Sequence, residues 1–159
     1  MASQIQIRSA RIEDCAAIAE VLRHSFAEFR SLYTEDGFAA TTPGAEHIQA
    51  RMQEGPVWIA LSAGSIVGTV SATKKSDSAY IRGMAVLPPA RGSGTGSRLL
   101  EQIETWAAGE NIARLFLSTT PFLDSAIRLY ENAGFRRTDQ GPHDLFGTPL
   151  FTMEKLMRK

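Results

Sequence analysis

From Arg91 to Ser97 the chain reads Arg-Gly-Ser-Gly-Thr-Gly-Ser, with glycine at 92, 94 and 96. No other segment limits the fold as tightly. Glycine enters the left-handed region freely and lets another group come close to the backbone. Upstream, Tyr80 to Leu87 reads as a strand stopped by Pro88-Pro89. Downstream, Leu99, Ile103, Trp106 and Ala107 line one face of a helix, with Gly109 as its expected cap. A strand that turns through glycines into a helix points unpaired amides, and the positive end of the helix dipole, at whatever lies over the turn. Such a turn suits an anion, and a phosphate-bearing ligand is its natural guest.

Two common phosphate loops fail on spacing. G-x-x-x-x-G-K-[ST] needs a lysine, and none occurs from Gly83 to Phe151. G-x-G-x-x-G fails as well, because its last place falls on Ser97 counted from Gly92 and on Leu99 counted from Gly94. R-x-x-G-x-G fits, at Arg91, Gly94 and Gly96.

The rest of the chain supplies the frame. Ile5 and Ile7 alternate with polar neighbours, as in a strand. Ile12, Ile18, Val21, Leu22, Phe26 and Phe29 recur at helical spacing, and Glu13 and Asp14 suit that helix's start. Tyr33 to Ala45 is polar and holds Gly37, Pro43 and Gly44, so it reads as a loop. A short helix follows over Ala45 to Gln53. Val57 to Leu61 and Ile66 to Thr73 form a hairpin around Ser62 to Ser65. Leu115 to Leu117 centre a further strand. Ala126, Leu129, Tyr130 and Ala133 mark a helix ended by Gly134, and Phe135 to Thr138 and Leu150 to Met157 are late strands. An antiparallel meander followed by crossover helices is a mixed α/β (α+β) layout.

Composition narrows the function classes. Seventeen basic and seventeen acidic residues cancel, which disfavours nucleic-acid binding by phosphate neutralisation. No run of apolar residues is long enough for a membrane span, and residues 1–6 carry no basic, apolar leader pattern. The one cysteine, Cys15, rules out an internal disulfide and any multi-cysteine metal site. At 159 residues and 43% hydrophobic, the chain has the size and composition of one domain, 1–159, expected in the cytoplasm.

The stretches Met84-Ala85-Val86-Leu87-Pro88-Pro89-Ala90-Arg91-Gly92-Ser93-Gly94-Thr95-Gly96-Ser97-Arg98-Leu99-Leu100 and Ala126-Ile127-Arg128-Leu129-Tyr130-Glu131-Asn132-Ala133-Gly134-Phe135 together resemble the GNAT superfamily of N-acetyltransferases. The first matches that family's acetyl-CoA motif and the second its later helix-to-strand motif. The resemblance implies a mostly antiparallel, partly splayed sheet of six to seven strands with about four helices. It implies acetyl-CoA as cosubstrate, no metal, and an amine as the other partner. It implies neither nucleic acid nor membrane as partner, and it admits a homodimer. By resemblance the amides of Arg91, Gly92, Ser93, Gly94, Thr95, Gly96 and Ser97 hold the CoA diphosphate, and the glycines clear space for it. The pantetheine arm would lie beside a bulged strand at Met84, Ala85 and Val86 and meet Ser118 or Thr119.

Tyr130 takes the family's place for protonating the departing thiolate. A phenol near 10 and a thiol near 8.5 make that transfer uphill by about 2 kcal/mol. As a core aromatic on an amphipathic helix, Tyr130 would also be unremarkable in position. The family's usual strand glutamate is replaced by Tyr80, and its frequent asparagine by Leu123. Glu28, Glu35 and Asp36 are the other carboxylates near the expected acceptor side; each also fits a solvated surface. Cys15, Trp58 and Trp106 are read as core, and the histidines at 24, 47 and 143 are too scattered for a metal. The expected reaction is direct attack in a ternary complex. The rival is a module that binds acyl-CoA without turning it over.

Overall fold

The computed structural model describes residues 4–157; of residues 1–6, on which the leader reading rests, 1–3 lie outside them. In chain order the elements are β1 (Ile5–Ser9), α1 (Cys15–Phe26), α2 (Glu35–Thr41), α3 (Ala45–Glu54), β2 (Val57–Ser62), β3 (Ser65–Lys75), β4 (Ser78–Val86), α4 (Thr95–Gly109), β5 (Arg114–Thr119), α5 (Asp124–Asn132), β6 (Arg136–Thr138), β7 (Asp144–Leu145), β8 (Thr148–Pro149) and β9 (Phe151–Leu156). Short 3-10 turns precede and follow α1, at Ile12–Asp14 and Ala27–Leu32. Seven strands form one sheet in the order β1-β2-β3-β4-β5-β9-β6, and β7 and β8 make a separate hairpin. Only β4 and β5 run parallel. The mixed, mostly antiparallel architecture matches the expectation.

Alternation along β2 divides the core. Trp58 and Ala60 face α4, where Leu99, Leu100 and Ile103 are buried; Val57 and Ile59 face α1 and α3, against Ile18, Leu22 and Ile48. Trp58 packs edge-on against Trp106 at 5.8 Å, and the Cys15 thiol is buried 3.6 Å from the Met52 sulfur, both as expected.

Three local readings are corrected. The first helix stops at Phe26, and Phe29 lies in the tighter 3-10 turn that follows. Gly109 is the last helical residue of α4, and the left-handed residue beyond it is Asn111, at φ 57°. The expected loop from Tyr33 to Ala45 contains α2. The Thr34 hydroxyl accepts the Gly37 N–H at 3.0 Å and caps the helix, Glu35 and Asp36 sit in its first turn, and Phe38 is buried against Tyr33. That raises the helix count to five.

The feature that positions the site is the parting of β4 and β5. They pair from Ser78 with Arg114 to Ile81 with Leu117, and no further. The cause lies on the other edge of β4. There Thr69 pairs with Ala85 and Ser71 with Arg82, so Gly83 and Met84 together face Val70. This bulge, with Gly83 at φ 65°, bends β4 away from β5, while β5 stays bonded to β9 as far as Thr119.

Candidate active site

The parted strands open a cleft of about 830 Å³. One wall is β4 from Tyr80 to Val86 and the other runs from Leu117 to Thr120. The glycine turn with the start of α4 closes one end, and α5 lies alongside. Met84, Ala85, Val86, Arg91, Gly92, Gly94, Thr95, Gly96, Ser97, Thr119 and Tyr130 all line it, although the sequence spreads them over four elements and one loop. Ser93 is the exception. Its hydroxyl donates to Ala90 O at 2.5 Å and meets Thr95 Oγ1 at 2.9 Å, so its side chain braces the turn.

The turn has the form an anion site requires. Gly92 and Gly94 lie at φ 80° and 83°, and a Cβ on either would meet nothing within 4 Å. No side chain caps α4. The Arg98 N–H is the first to bond back into the helix, to Gly94 O at 3.0 Å, leaving the amides before it without helical acceptors. Gly96 also lines the cleft and meets a packing constraint of its own. A Cβ there would lie 2.7 Å from Leu129 Cδ2, so this glycine lets α5 pack close to the start of α4. The Arg91 side chain is likewise engaged. It pairs with Glu28 through Nη1 and donates to Ser25 O at 2.8 Å and to Val86 O at 3.1 Å.

On β4, the Leu87 N–H donates to Val67 O. Backbone groups alternate between the edges of a strand, so Ala85 also turns toward β3, and the Val86 N–H faces the parting. Val86 thus presents its amide to the cleft, while the Ala85 amide is directed to β3.

All three tyrosines of the chain line the cleft. Tyr130 is held by the close of α5. Gly134 takes φ 99°, the Phe135 N–H donates to Tyr130 O at 2.9 Å, and the two rings stand 6.0 Å apart. Tyr130 thus belongs to the core and to the cleft at once. Burial, with Tyr33 and Tyr80 nearby, pushes its hydroxyl well above the ordinary phenol value, so it remains a proton donor. Tyr33 is also raised by burial, against the opposing effect of Thr120 and Thr41, and packs edge-on to Phe122 at 4.9 Å. Tyr80 stacks on Phe116 at 5.2 Å.

The cleft's charge is one-sided. Its lining includes Arg51, Arg82, Arg91 and Arg128, and among the described residues no aspartate, glutamate, histidine or lysine. None of the carboxylates considered from sequence reaches it. Glu28 is paired to Arg91, and Glu35 and Asp36 border a separate hollow of about 470 Å³. Ser25 and Thr120 line the cleft, and among the described residues their buried hydroxyls have no hydrogen-bond partner. Tyr33 and Arg51 were missed by the sequence reading. Both lie on segments without a motif, where a lone polar residue looks like any solvated one. Among the described residues no helix is long and apolar enough to cross a membrane, and no group of three or more histidine, cysteine or acidic residues gathers for a metal.

The sequence model of the acetyltransferase (GNAT) family matches residues 18–135. The uncharacterized N-acetyltransferase YjgM of Escherichia coli (strain K12) is 31% identical over 139 residues, covering 84% of this chain and 83% of that protein. The PaiA N-acetyltransferase from Thermoplasma acidophilum, in complex with coenzyme A, superposes with a TM-score of 0.83 at 20% identity, over 97% of this chain and 99% of that one. YncA from Salmonella typhimurium, a putative acetyltransferase with its cofactor acetyl-CoA, gives 0.76 at 22% identity, over 98% and 95%.

Proposed function

The chain belongs to the acetyltransferase (GNAT) family, and we propose that it moves an acetyl group from acetyl-CoA directly to the nitrogen of an amine. The observation that carries this reading is the convergence of an open, left-handed glycine turn, a free strand edge and a buried tyrosine on one cleft. The residues fit an acyl-CoA. The uncapped amides at the start of α4 bind the diphosphate, the Val86 amide bonds the pantetheine arm, and Thr119 flanks it from β5. Two structural relatives hold CoA or acetyl-CoA, which supports an acyl-CoA as the ligand.

In the transfer the amine nitrogen bonds to the acetyl carbon and the carbon–sulfur bond breaks. Tyr130 gives its proton to the leaving sulfur, and the proton released by the amine passes to water. Burial raises Tyr130, and it would raise a thiol beside it in the same sense, so the uphill step from phenol to thiolate does not widen in proportion. No carboxylate stands in the cleft to deprotonate the amine, so the neutral amine is the reacting form. On this reading residues 1–159 are one acyltransferase domain that needs no metal, and cytoplasmic use suits a chain whose one cysteine is a buried thiol.

The test is turnover. Purified protein with acetyl-CoA and a panel of amines should release CoA thiol and add one acetyl mass to an acceptor. Tyr130→Phe should lower kcat about 10- to 1,000-fold while changing the KM for acetyl-CoA much less. A protein that binds acetyl-CoA and acetylates no amine would be the non-catalytic module instead. A Tyr130→Phe variant at the wild-type rate, with chemistry limiting, would reduce Tyr130 to packing.

A further inference from the structure

Resting on the acyl-transfer reading, we propose that the acceptor is a small amine that also carries a carboxylate, and that Arg51 is the residue that recognises it. Arg51 projects from α3 into the cleft beside the bulge. Its Nη1 lies 3.0 Å from where a Cβ on Gly83 would stand. Among the described residues no carboxylate forms an ion pair with it. The nearest acid on its own helix, Glu54, is committed to Arg82 at 2.8 and 3.0 Å. The groups that bear on Arg51 through space are Arg82, a like charge that lowers its pKa, and Tyr80 and Glu54, which act in the opposite sense. Burial and Arg82 lower its pKa from the usual arginine value, yet a guanidinium stays charged at neutral pH. A half-buried cation with no carboxylate in direct contact is costly to keep. Its planar fork of donors matches a carboxylate with two parallel hydrogen bonds.

The anion it awaits is not the CoA diphosphate. Gly83 sits where β4 begins to leave β5, whereas the glycine turn follows the far end of the strand, beyond Val86. Arg128 adjoins Leu129, which packs on Gly96, so it belongs to the turn end; Arg91 is held by Glu28. Arg51 is therefore left for the second substrate. The surrounding walls favour a small one. The Thr34 N–H donates to Thr148 Oγ1 at 2.9 Å and its hydroxyl to Phe146 O at 2.8 Å, tying the start of α2 to the β7–β8 hairpin. Tyr33, Thr41, Leu145 and Leu150 line the cleft from these segments. A free amino acid has the right chemistry; the end of a polypeptide has its amine but no adjacent carboxylate.

The experiment compares free L-amino acids with their carboxamides as acceptors, in wild type and in Arg51→Gln. Wild type should prefer the acid in kcat/KM by about 10- to 100-fold for its best acceptor. Arg51→Gln should bring that ratio close to one, mainly through the acceptor KM, with the KM for acetyl-CoA unchanged; Arg51→Lys should keep part of the preference. The change in the ratio between the two proteins cancels the different basicity of acid and amide. An enzyme that uses amides, peptides or polyamines as well as acids, or an Arg51→Gln variant that loses both classes equally, overturns the inference and leaves the transferase reading standing. If no amine reacted, the transferase reading would fail, and calorimetry would still decide Arg51. N-acetyl-L-amino acids should bind the CoA-saturated wild type and not the variant; no binding, or equal binding, overturns the assignment.

Discussion

At the scale of residues, every ionisable side chain lining the cleft is an arginine or a tyrosine, so no ordinary proton acceptor faces the reaction. An amine near pKa 10 is neutral in about one molecule per thousand at pH 7, and that fraction grows tenfold with each pH step. We therefore expect kcat/KM to climb with slope one toward the acceptor's own pKa, and the limb to move when a less basic acceptor is used. Tyr80→Phe should leave the limb in place, since a neutral phenol is a poor acceptor of protons. Tyr130 sets the other side of the profile. Its pKa is raised, so the donor form persists above the ordinary phenol value of about 10, and no descending limb from this residue should appear below that pH. Rate profiles over several acceptors check this, and a limb fixed across amines of different basicity would require an enzyme base. The residues readable in the sequence are those whose chemistry is written into the backbone: Gly92 and Gly94 at left-handed φ, Gly134 closing α5, and Tyr130 one turn before it. Arg51 and Tyr33 were not readable, because only the packing of α3 and of the turn after α1 against the sheet makes them neighbours of the cleft.

At the scale of elements, the site exists because one strand is bulged on one edge and released on the other. The order of most strands and helices was legible from periodicity, but α2 and the β7–β8 hairpin were not. Where the pairing of β4 and β5 stops was expected only through the family resemblance; the two residues of β4 facing Val70 show its cause. α2 was illegible for a local reason. Gly37, Thr41 and Thr42 are weak helix formers, and the segment is helical because Thr34 caps it and Phe38 is buried. Its contact with the hairpin is close, since a Cβ on Gly37 would stand 2.4 Å from Thr148 Oγ1. Thr34→Ala removes the cap and the tie to Phe146 together. It should cost about 1 kcal/mol of stability and raise the KM for the acceptor while leaving that for acetyl-CoA unchanged. Thermal melts and two-substrate kinetics measure both effects. An equal rise in both KM values would show that α2 does not belong to the acceptor end.

At the scale of the whole molecule, balanced charge and a strongly cationic cleft coexist. Seventeen acids offset seventeen bases in the chain, yet the acids stay off the cleft wall while four arginines stand on it. Composition disfavoured nucleic-acid binding but could not show this sorting, which depends on which face each helix turns inward. The central claim is that the cleft between β4 and β5, closed by the glycine turn, is where acetyl-CoA binds. Calorimetric titration of acetyl-CoA into wild type and Gly94→Val tests it directly. A β-branched residue is strained at φ 83°, so the turn must rearrange and its amides lose their aim, while the core, which a Cβ at Gly94 would not meet, should hold. The account predicts one site per chain in wild type. In a variant with unchanged circular dichroism it predicts affinity weakened by about 100-fold, the loss of two amide bonds to a charged group. A folded Gly94→Val protein that binds acetyl-CoA as tightly as wild type would contradict it.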